Sequence, residues 1–238
     1  MGRTVIVGDV HGCRAELEAL LDRAAFSSAD RLVSVGDLVA RGPDTLGVLA
    51  LLRRVGGRAV LGNHEERLLA ARAARRRDQP GPRLSPSHAR VLAELGDDDW
   101  SFLSALPLEL ELPEHGVRVV HAGVVPGIPF AEQEPWLITH IRSLDGHGRP
   151  TERWGKVPWG ARYAGPPHVV FGHNAQRAPQ LHADATGLDT GCVYGNRLTA
   201  LVLPEGAPPP PVEERAEALV SVPAAREYFA LGQKLRAG

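Results

Sequence analysis

The sequence predicts an α/β fold, and three observations predict it. Short β-branched runs alternate with amphipathic helical patterns through the first third of the chain. Strand-like run after strand-like run ends in glycine followed by polar residues. The length, 238 residues, and the 43% hydrophobic content suffice for one sizeable core.

The elements follow in order. Thr4–Val7 reads as a strand, and Arg14 opens a helix with Leu17, Leu20, Leu21 and Ala24 on one face. Leu32–Val35 repeats the strand signal. Pro43 then opens a second helix through Leu46, Leu49, Ala50 and Leu52, in keeping with proline at a helix start. Ala59–Leu61 is a third strand and Glu65 onward a third helix, where Glu65 and Glu66 suit the helix N-terminus. Strand, loop and helix in series predict neighbouring parallel strands. Arg75–Pro86 reads as a basic, then Pro/Gly-rich loop, followed by short helices at Ser87–Leu95 and Asp98–Ala105. LELELPEHGVRVV alternates on both sides of Glu114-His115-Gly116, a hairpin signature. From Pro126 to Pro167 the pattern is weak, apart from a helix near Trp136–Arg142. Strands return at Val169–Gly172 and Leu198–Leu203. Pro208–Pro211 is a stiff spacer before a terminal helix from about Ala224.

A net charge of −1 provides no overall field toward nucleic acid or a membrane surface, so stable nucleic-acid binding is not expected. No apolar run reaches the length of a membrane span. Cys13 and Cys192 make no disulfide framework and read as small packing residues. A soluble cytoplasmic protein is the expectation; oligomeric state is left open.

The polar residues carry the functional signal. TVIV ends in GDVHG, with Asp9 and His11; RLVSV ends in GDLVARG, with Asp37 and Arg41. RAV ends in LGNHE, with Asn63 and His64; VRVV ends in HAG, with His121; HVVF ends in GHN, with His173. Ligands of α/β sheets collect at the carboxyl ends of strands, so the five clusters predict one convergent site. Carboxylates, imidazoles and an amide oxygen suit Mn, Fe, Zn or Co, and glycine beside each lets the backbone turn tightly. A carboxylate shared between two such ions fixes their separation, and the pair activates a water and neutralises phosphate oxygens. Arg41 offers a planar, bidentate grip on the same phosphate.

GDVHG, GDLVARG, GNHE, HAG and GH, in this order, resemble the calcineurin-like metallophosphoesterases, more narrowly the phosphoprotein-phosphatase family. The resemblance spans about Val5 to Leu203. It implies a metallophosphatase fold, two mixed β-sheets sandwiched between helices, over residues 1–205. Residues 206–238 would then be a Pro-rich spacer and helical extension of that domain. It implies two divalent ions, manganese first among the candidates. Asp9 and His11 would hold the first ion, Asp37 would bridge, and Asn63, His121 and His173 would complete the second. His64 would protonate the leaving oxygen, Arg41 would bind phosphate beside Asn63, and a second phosphate arginine would lie between HAG and GH, Arg142 being the first candidate and Arg162 the second.

One position departs. Ser/Thr phosphatases of this family read GDxxDRG, where the second aspartate supports the histidine acid; here it is Ala40. GDLVARGP and the later GLDTGCVYGNRLTAL instead resemble the bacterial symmetrical bis(5′-nucleosyl)-tetraphosphatases. That resemblance implies hydrolysis of diadenosine tetraphosphate and related dinucleoside polyphosphates to nucleoside diphosphates by a metal-activated hydroxide. The alternatives are a phosphatase of Ser/Thr or Tyr phosphoproteins, both activities in one enzyme, or a phosphate-binding module without turnover. Trp136, Trp154 and Trp159, with Arg142, Arg149, Arg153, Lys156 and Arg162, crowd the segment between HAG and GH. Aromatic faces there can stack a base, or they can anchor the segment to the core. The arginine run Arg72, Arg75, Arg76 and Arg77 reads as a solvated helix face, with polyphosphate contact as the alternative.

Overall fold

The computed structural model describes residues 2–155 and 157–230. Lys156 and most of the expected terminal helix lie outside them. The elements, in chain order, are β1 (Thr4–Val7), α1 (Arg14–Arg23), β2 (Arg31–Ser34), α2 (Thr45–Arg54), β3 (Arg58–Ala59), α3 (Asn63–Arg76), α4 (Pro86–Glu94) and α5 (Asp97–Ser104). They continue through β4 (Glu109–Leu112), β5 (Val117–Val120), α6 (Pro135–His140), β6 (Ser143–Leu144), β7 (Pro150–Thr151) and β8 (Val157–Pro158). The last are β9 (His168–Phe171), β10 (Gln180–Leu181), β11 (Ala185–Gly187), β12 (Arg197–Leu203) and β13 (Leu219–Pro223).

Two mixed five-stranded sheets form the framework, in the orders β13-β12-β1-β2-β3 and β10-β11-β9-β5-β4. The expected parallel strands are β1, β2 and β3, with Ile6 level with Val33 and Ser34 level with Ala59. Period-two alternation decides which residues face which layer. Ile6, Val33, Val35 and Val60 of the first sheet meet Leu110, Leu112, Val117, Val119 and Val170 of the second in a core between the sheets. Val5 and Val7 face the other way, against Leu17, Leu20, Leu49, Leu52 and Leu68 of the helices. On the outer face of the second sheet, Val120, Val169 and Phe171 pack with Ile138, Ile141 and Trp159. Both sheets are thus covered by other elements.

Several elements differ from the sequence reading. Pro43 lies before α2, whose N-cap is Asp44, its carboxylate accepting from the Gly47 N–H at 2.8 Å. The buried face of α2 is Thr45, Val48, Leu49 and Leu52; Leu46 and Ala50 are exposed. One apolar residue in either direction along a Leu/Ala-rich helix shifts the stripe by a third of a turn, so composition could not choose the face. Residues 219–223 form a strand, β13, antiparallel to β12, and residues 224–230 are not helical. There the backbone is used by its neighbours: Tyr228 and Phe229 N–H groups both donate to the Val193 carbonyl at 3.0 Å. The arginine run is also less solvated than expected at its start, since the Arg72 guanidinium lies 4.5 Å over the Trp100 ring.

Candidate metal centre

The loops after β1 and β2 are stitched together by their backbones, and the start of α3 joins them through the His64 N–H, which donates to Asp37 Oδ1 at 3.0 Å. His11 N–H donates to the Asp37 carbonyl at 2.7 Å, Gly12 N–H to Leu38 at 2.8 Å, and Gly42 N–H back to His11 at 2.9 Å. These turns hold non-glycine residues in the left-handed region: His11 (φ 46°), Asp37 (50°), Ala40 (63°) and Arg41 (63°), with His173 (63°) joining from the loop after β9. Such backbones are costly for side-chain-bearing residues and cluster where a site needs a side chain aimed. Space is equally tight. A Cβ on Gly172 would collide with the Asp9 carboxylate, and one on Gly62 with Asp37.

Asp37 is the hub. Its Oδ2 lies 3.5 Å from His11 Nε2 and 3.9 Å from His64 Nε2, and its Oδ1 lies 3.5 Å from His121 Nε2. The result is two buried triads that share this carboxylate, His11–Asp37–His64 and Asp37–His121–His173. Asn63 Oδ1 adds itself to the second triad, 3.1 Å from His121 Nε2 and 3.0 Å from His173 Nδ1. Asp9 sits beneath the cluster, both of its oxygens accepting from the His173 N–H at 3.1 Å.

The donor chemistry fits a pair of cations. His11 Nδ1 lies 3.0 Å from the Val39 carbonyl and His121 Nδ1 2.8 Å from that of Val35, so each Nδ1 carries the proton and donates it. Each Nε2 lone pair then points into the cluster. At His121, Nε2 faces two oxygen acceptors, Asn63 Oδ1 and Asp37 Oδ1, a cluster of donor atoms that a cation among them would satisfy.

The electrostatics agree. Burial pushes the His11 imidazolium down, to about 3, with the Arg41 guanidinium acting in the same direction. Burial, then Arg142, holds His173 well below its usual range. Burial also opposes the Asp37 charge, but His121, His64, His11 and Arg41 outweigh it and keep the carboxyl well below the carboxylate range. Asp9 is driven well up by burial and by Asp189 and Asp37. Neutral His11 and His173 beside an ionised Asp37 are the protonation states that ligation by metal needs. Asp9, whose charge burial and its acidic neighbours oppose, is instead a carboxyl that a bound cation would have to ionise.

Arg41 and Arg142 each reach a different histidine of the cluster. Arg41 Nη1 donates to His11 Nε2 at 2.7 Å, and its guanidinium lies 5.4 Å from the Tyr194 ring and 5.7 Å from that of Phe229. The Gly-rich turn holding Tyr194 therefore borders the site. Arg142 Nη1 donates to the His173 carbonyl and to Asn174 Oδ1, both at 3.1 Å, and its guanidinium lies 5.5 Å over Trp154. Arg162 is exposed at the end of the short turn after Trp159, and among the described residues no contact ties it to the cluster. The three tryptophans divide. Trp159 is an anchor, 1% exposed, its indole N–H donating to the Ala122 carbonyl at 3.0 Å. Trp136 is 44% exposed and stacks on His140, whose ring lies 6.3 Å from that of His173.

Two residues had been passed over. Glu65, read as a helix-start acid, is fully buried and accepts four backbone N–H groups, those of Asp37, Leu38, Val39 and Gly62, at 2.8–3.1 Å. It ties the loop after β2 to the start of α3. Burial and Asp37 push its carboxyl up to about 8, against the pull of those donors. Asp189, in the GLDTG stretch, is buried beside Asp9 and Asp37, and burial raises its carboxyl to about 6. Its place in a Gly-flanked run, like the other clusters, was the available signal.

A family profile for calcineurin-like phosphoesterases matches residues 2–201. A symmetrical bis(5′-nucleosyl)-tetraphosphatase of Shewanella sp. (strain ANA-3) is 45% identical over 139 residues, 56% of this chain and 49% of that protein. The chain thus spans about half the length of that relative and of those like it. The enzyme of the same name from Chromohalobacter salexigens is 32% identical over 85% of this chain and 95% of its own length. A crystal structure provisionally assigned as a diadenosine tetraphosphatase superposes with a TM-score of 0.78 at 39% identity, covering 94% of both chains.

Proposed function

The chain belongs to the calcineurin-like phosphoesterase family, and from that premise we propose that it is a metal-dependent hydrolase of dinucleoside polyphosphates. The substrate we assign is diadenosine tetraphosphate, cut symmetrically to two nucleoside diphosphates in the cytoplasm. The observation that carries the chemistry is Asp37, shared by two buried triads of metal-competent side chains. The assignment of substrate rests on the relatives, above all the one matched along 95% of its length.

In this reading Asp9, His11 and Asp37 hold one ion, manganese by preference, and Asp37, Asn63, His121 and His173 hold the other. Bound there, such ions activate water and neutralise phosphoryl oxygens. The chain's own part is positioning. Arg41, steered by Tyr194 and Phe229, and Arg142, fixed by the His173 carbonyl, grip the phosphates from two sides. His64, whose Nε2 faces the cluster, would pass the proton to the leaving oxygen, against a burial that holds its imidazolium well below the usual range. Residues 1–205 make up the catalytic domain, and the extension belongs to it, adding β13 to the first sheet and placing Phe229 beside Arg41.

The test is turnover of diadenosine tetraphosphate with added manganese, followed by nucleotide chromatography. ADP as the sole product supports the reading. AMP with ATP, turnover of phosphopeptides alone, or no turnover with Mn, Fe, Zn or Co would each overturn it. His64→Asn keeps the metals and slows turnover by about 10²–10⁴-fold if the histidine is the acid.

A further inference from the structure

Position 40 raises the question of what fixes the ring of His64. Ala40 contributes only a buried methyl there, and its backbone N–H is spent on Thr45 Oγ1 at 3.2 Å. The ring of His64 is nevertheless buried, and three groups adjoin it. His11 meets it edge-on, ring centres 4.7 Å apart at 71°, and Asp37 Oδ2 stands 3.9 Å from its Nε2. The third is His88, whose ring lies nearly parallel, 4.8 Å away at 18°. Among the described residues Nδ1 of His64 has no hydrogen-bond partner, so no acceptor there sets the ring's rotation.

His88 is itself held in place. It is 5% exposed, and its Nδ1 lies 2.7 Å from Oγ of Ser85, the N-cap of α4, leaving only Nε2 unpartnered. The helix that carries it is pinned to the loop after Ala40, since Arg90 Nη2 donates to the Gly42 carbonyl at 2.7 Å. Val91, on the same helix, is buried in the core shared with Leu68 of α3. A fixed ring thus covers one face of His64, while Asp37 and His11 bound its edge.

We propose that His88, anchored by Ser85 on α4, is the positioning residue for His64, its ring face setting the plane of the imidazole that faces the metal cluster. A flat ring can rotate within a socket of apolar side chains; a second ring stacked on it removes that freedom and leaves in-plane contacts to the site. The proposal rests on His64 being the proton donor, and the experiment separates the two.

Steady-state hydrolysis of diadenosine tetraphosphate is compared for wild type, His88→Ala, His88→Phe, His64→Asn and His64→Asn/His88→Ala, with metal content measured in each. His88→Ala is expected to lower kcat about 10–100-fold, the usual cost of losing a group that orients a functional histidine, with KM and metal content unchanged. His88→Phe, which keeps a ring face, recovers to within about threefold of wild type. In the His64→Asn background the His88 substitution costs nothing further, because the residue it positions has gone. A full-rate His88→Ala enzyme, a phenylalanine variant as slow as the alanine one, or an equal loss in the His64→Asn background overturns the proposal while the role of His64 stands. A full-rate His64→Asn enzyme removes the acid role and this proposal with it.

Discussion

The loops that follow β1, β2 and β3 and the segment that crosses from β5 to β9 line the same site, yet they are built in opposite ways. In the loops almost every residue is buried, the turns bond to one another through their backbones, and four residues sit in left-handed conformations. The crossing segment contains a short helix, three two-residue strands and exposed apolar side chains at Ile128 and Trp136. The first region tolerates no change of backbone, because a ligand displaced by even 1 Å loses its geometry. The second can vary its surface, because its contact with the site is made by a few long side chains. The difference teaches that chemistry and selectivity are held by different kinds of structure, and it gives each region its own expected sensitivity.

The largest effect belongs to the hub of the rigid region. Asp37→Ala removes the one ligand common to both triads, so both ions are lost and turnover falls to background. Elemental analysis decides the point: a variant retaining its full metal complement would show that the two halves stand independently. Next comes the anchor of the same loops. Glu65→Gln preserves shape but turns an amide NH₂ toward backbone donors that a carboxylate oxygen had accepted. Stranding two buried N–H groups costs about 2–5 kcal/mol. Chemical denaturation of the metal-free protein measures it, and a loss below about 1 kcal/mol would mean the loops are held by their mutual backbone bonds alone.

How much of this was legible depends on whether a contact is local. Asp9, His11, Asp37, Asn63, His121 and His173 were readable because each follows a strand within a short Gly-flanked motif. The parallel β1–β2–β3 order groups the first four, and the parallel β5–β9 pair of the second sheet groups the last two. Glu65 looked like any acidic residue in a first helical turn, since its four donors include three from a loop 26 to 28 positions earlier. His88 had no motif because its meaning is the ring it covers. β13 was invisible because a five-residue strand of mixed burial follows a proline run and is defined by its pairing to β12. The crossing segment has no periodicity to read, so the choice of Arg142 ahead of Arg162 rested on sequence neighbours alone; the structure leaves Arg162 exposed and Arg142 against His173.

His168, where the crossing segment rejoins β9, supplies a smaller, pH-dependent effect. Burial, with Arg215 nearby, pushes its imidazolium down to about 4, while its Nε2 pairs with Thr186 Oγ1 at 2.9 Å. A histidine with a depressed folded pKa binds fewer protons folded than unfolded. Its contribution is fully present above the unfolded value near 6.5 and is lost as pH falls toward 4. That contribution is at most about 3 kcal/mol. His168→Asn should therefore show a smaller loss of stability than wild type between pH 7 and pH 4.5 in parallel denaturation curves. Identical losses would place the acid sensitivity elsewhere.

The smallest effect tests the variable region directly. Trp136 presents an exposed indole face, braced behind by His140 and through its N–H by Glu152 at 2.9 Å, in line with His173. A base stacked on such a face gains on the order of 1 kcal/mol, about a fivefold change in affinity. Trp136→Ala should then weaken inhibition by ADP about fivefold and leave inhibition by inorganic pyrophosphate unchanged, since pyrophosphate carries the phosphates without a base. The two inhibitors separate the two regions: one reads the crossing segment and the loops together, the other the loops with their arginines. Equal weakening of both would mean that Trp136 supports the position of Arg142 and that the crossing segment is mechanically coupled to the rigid loops after all. Unchanged inhibition by both would move base recognition to another face, with Trp154 over Arg142 the next surface to test.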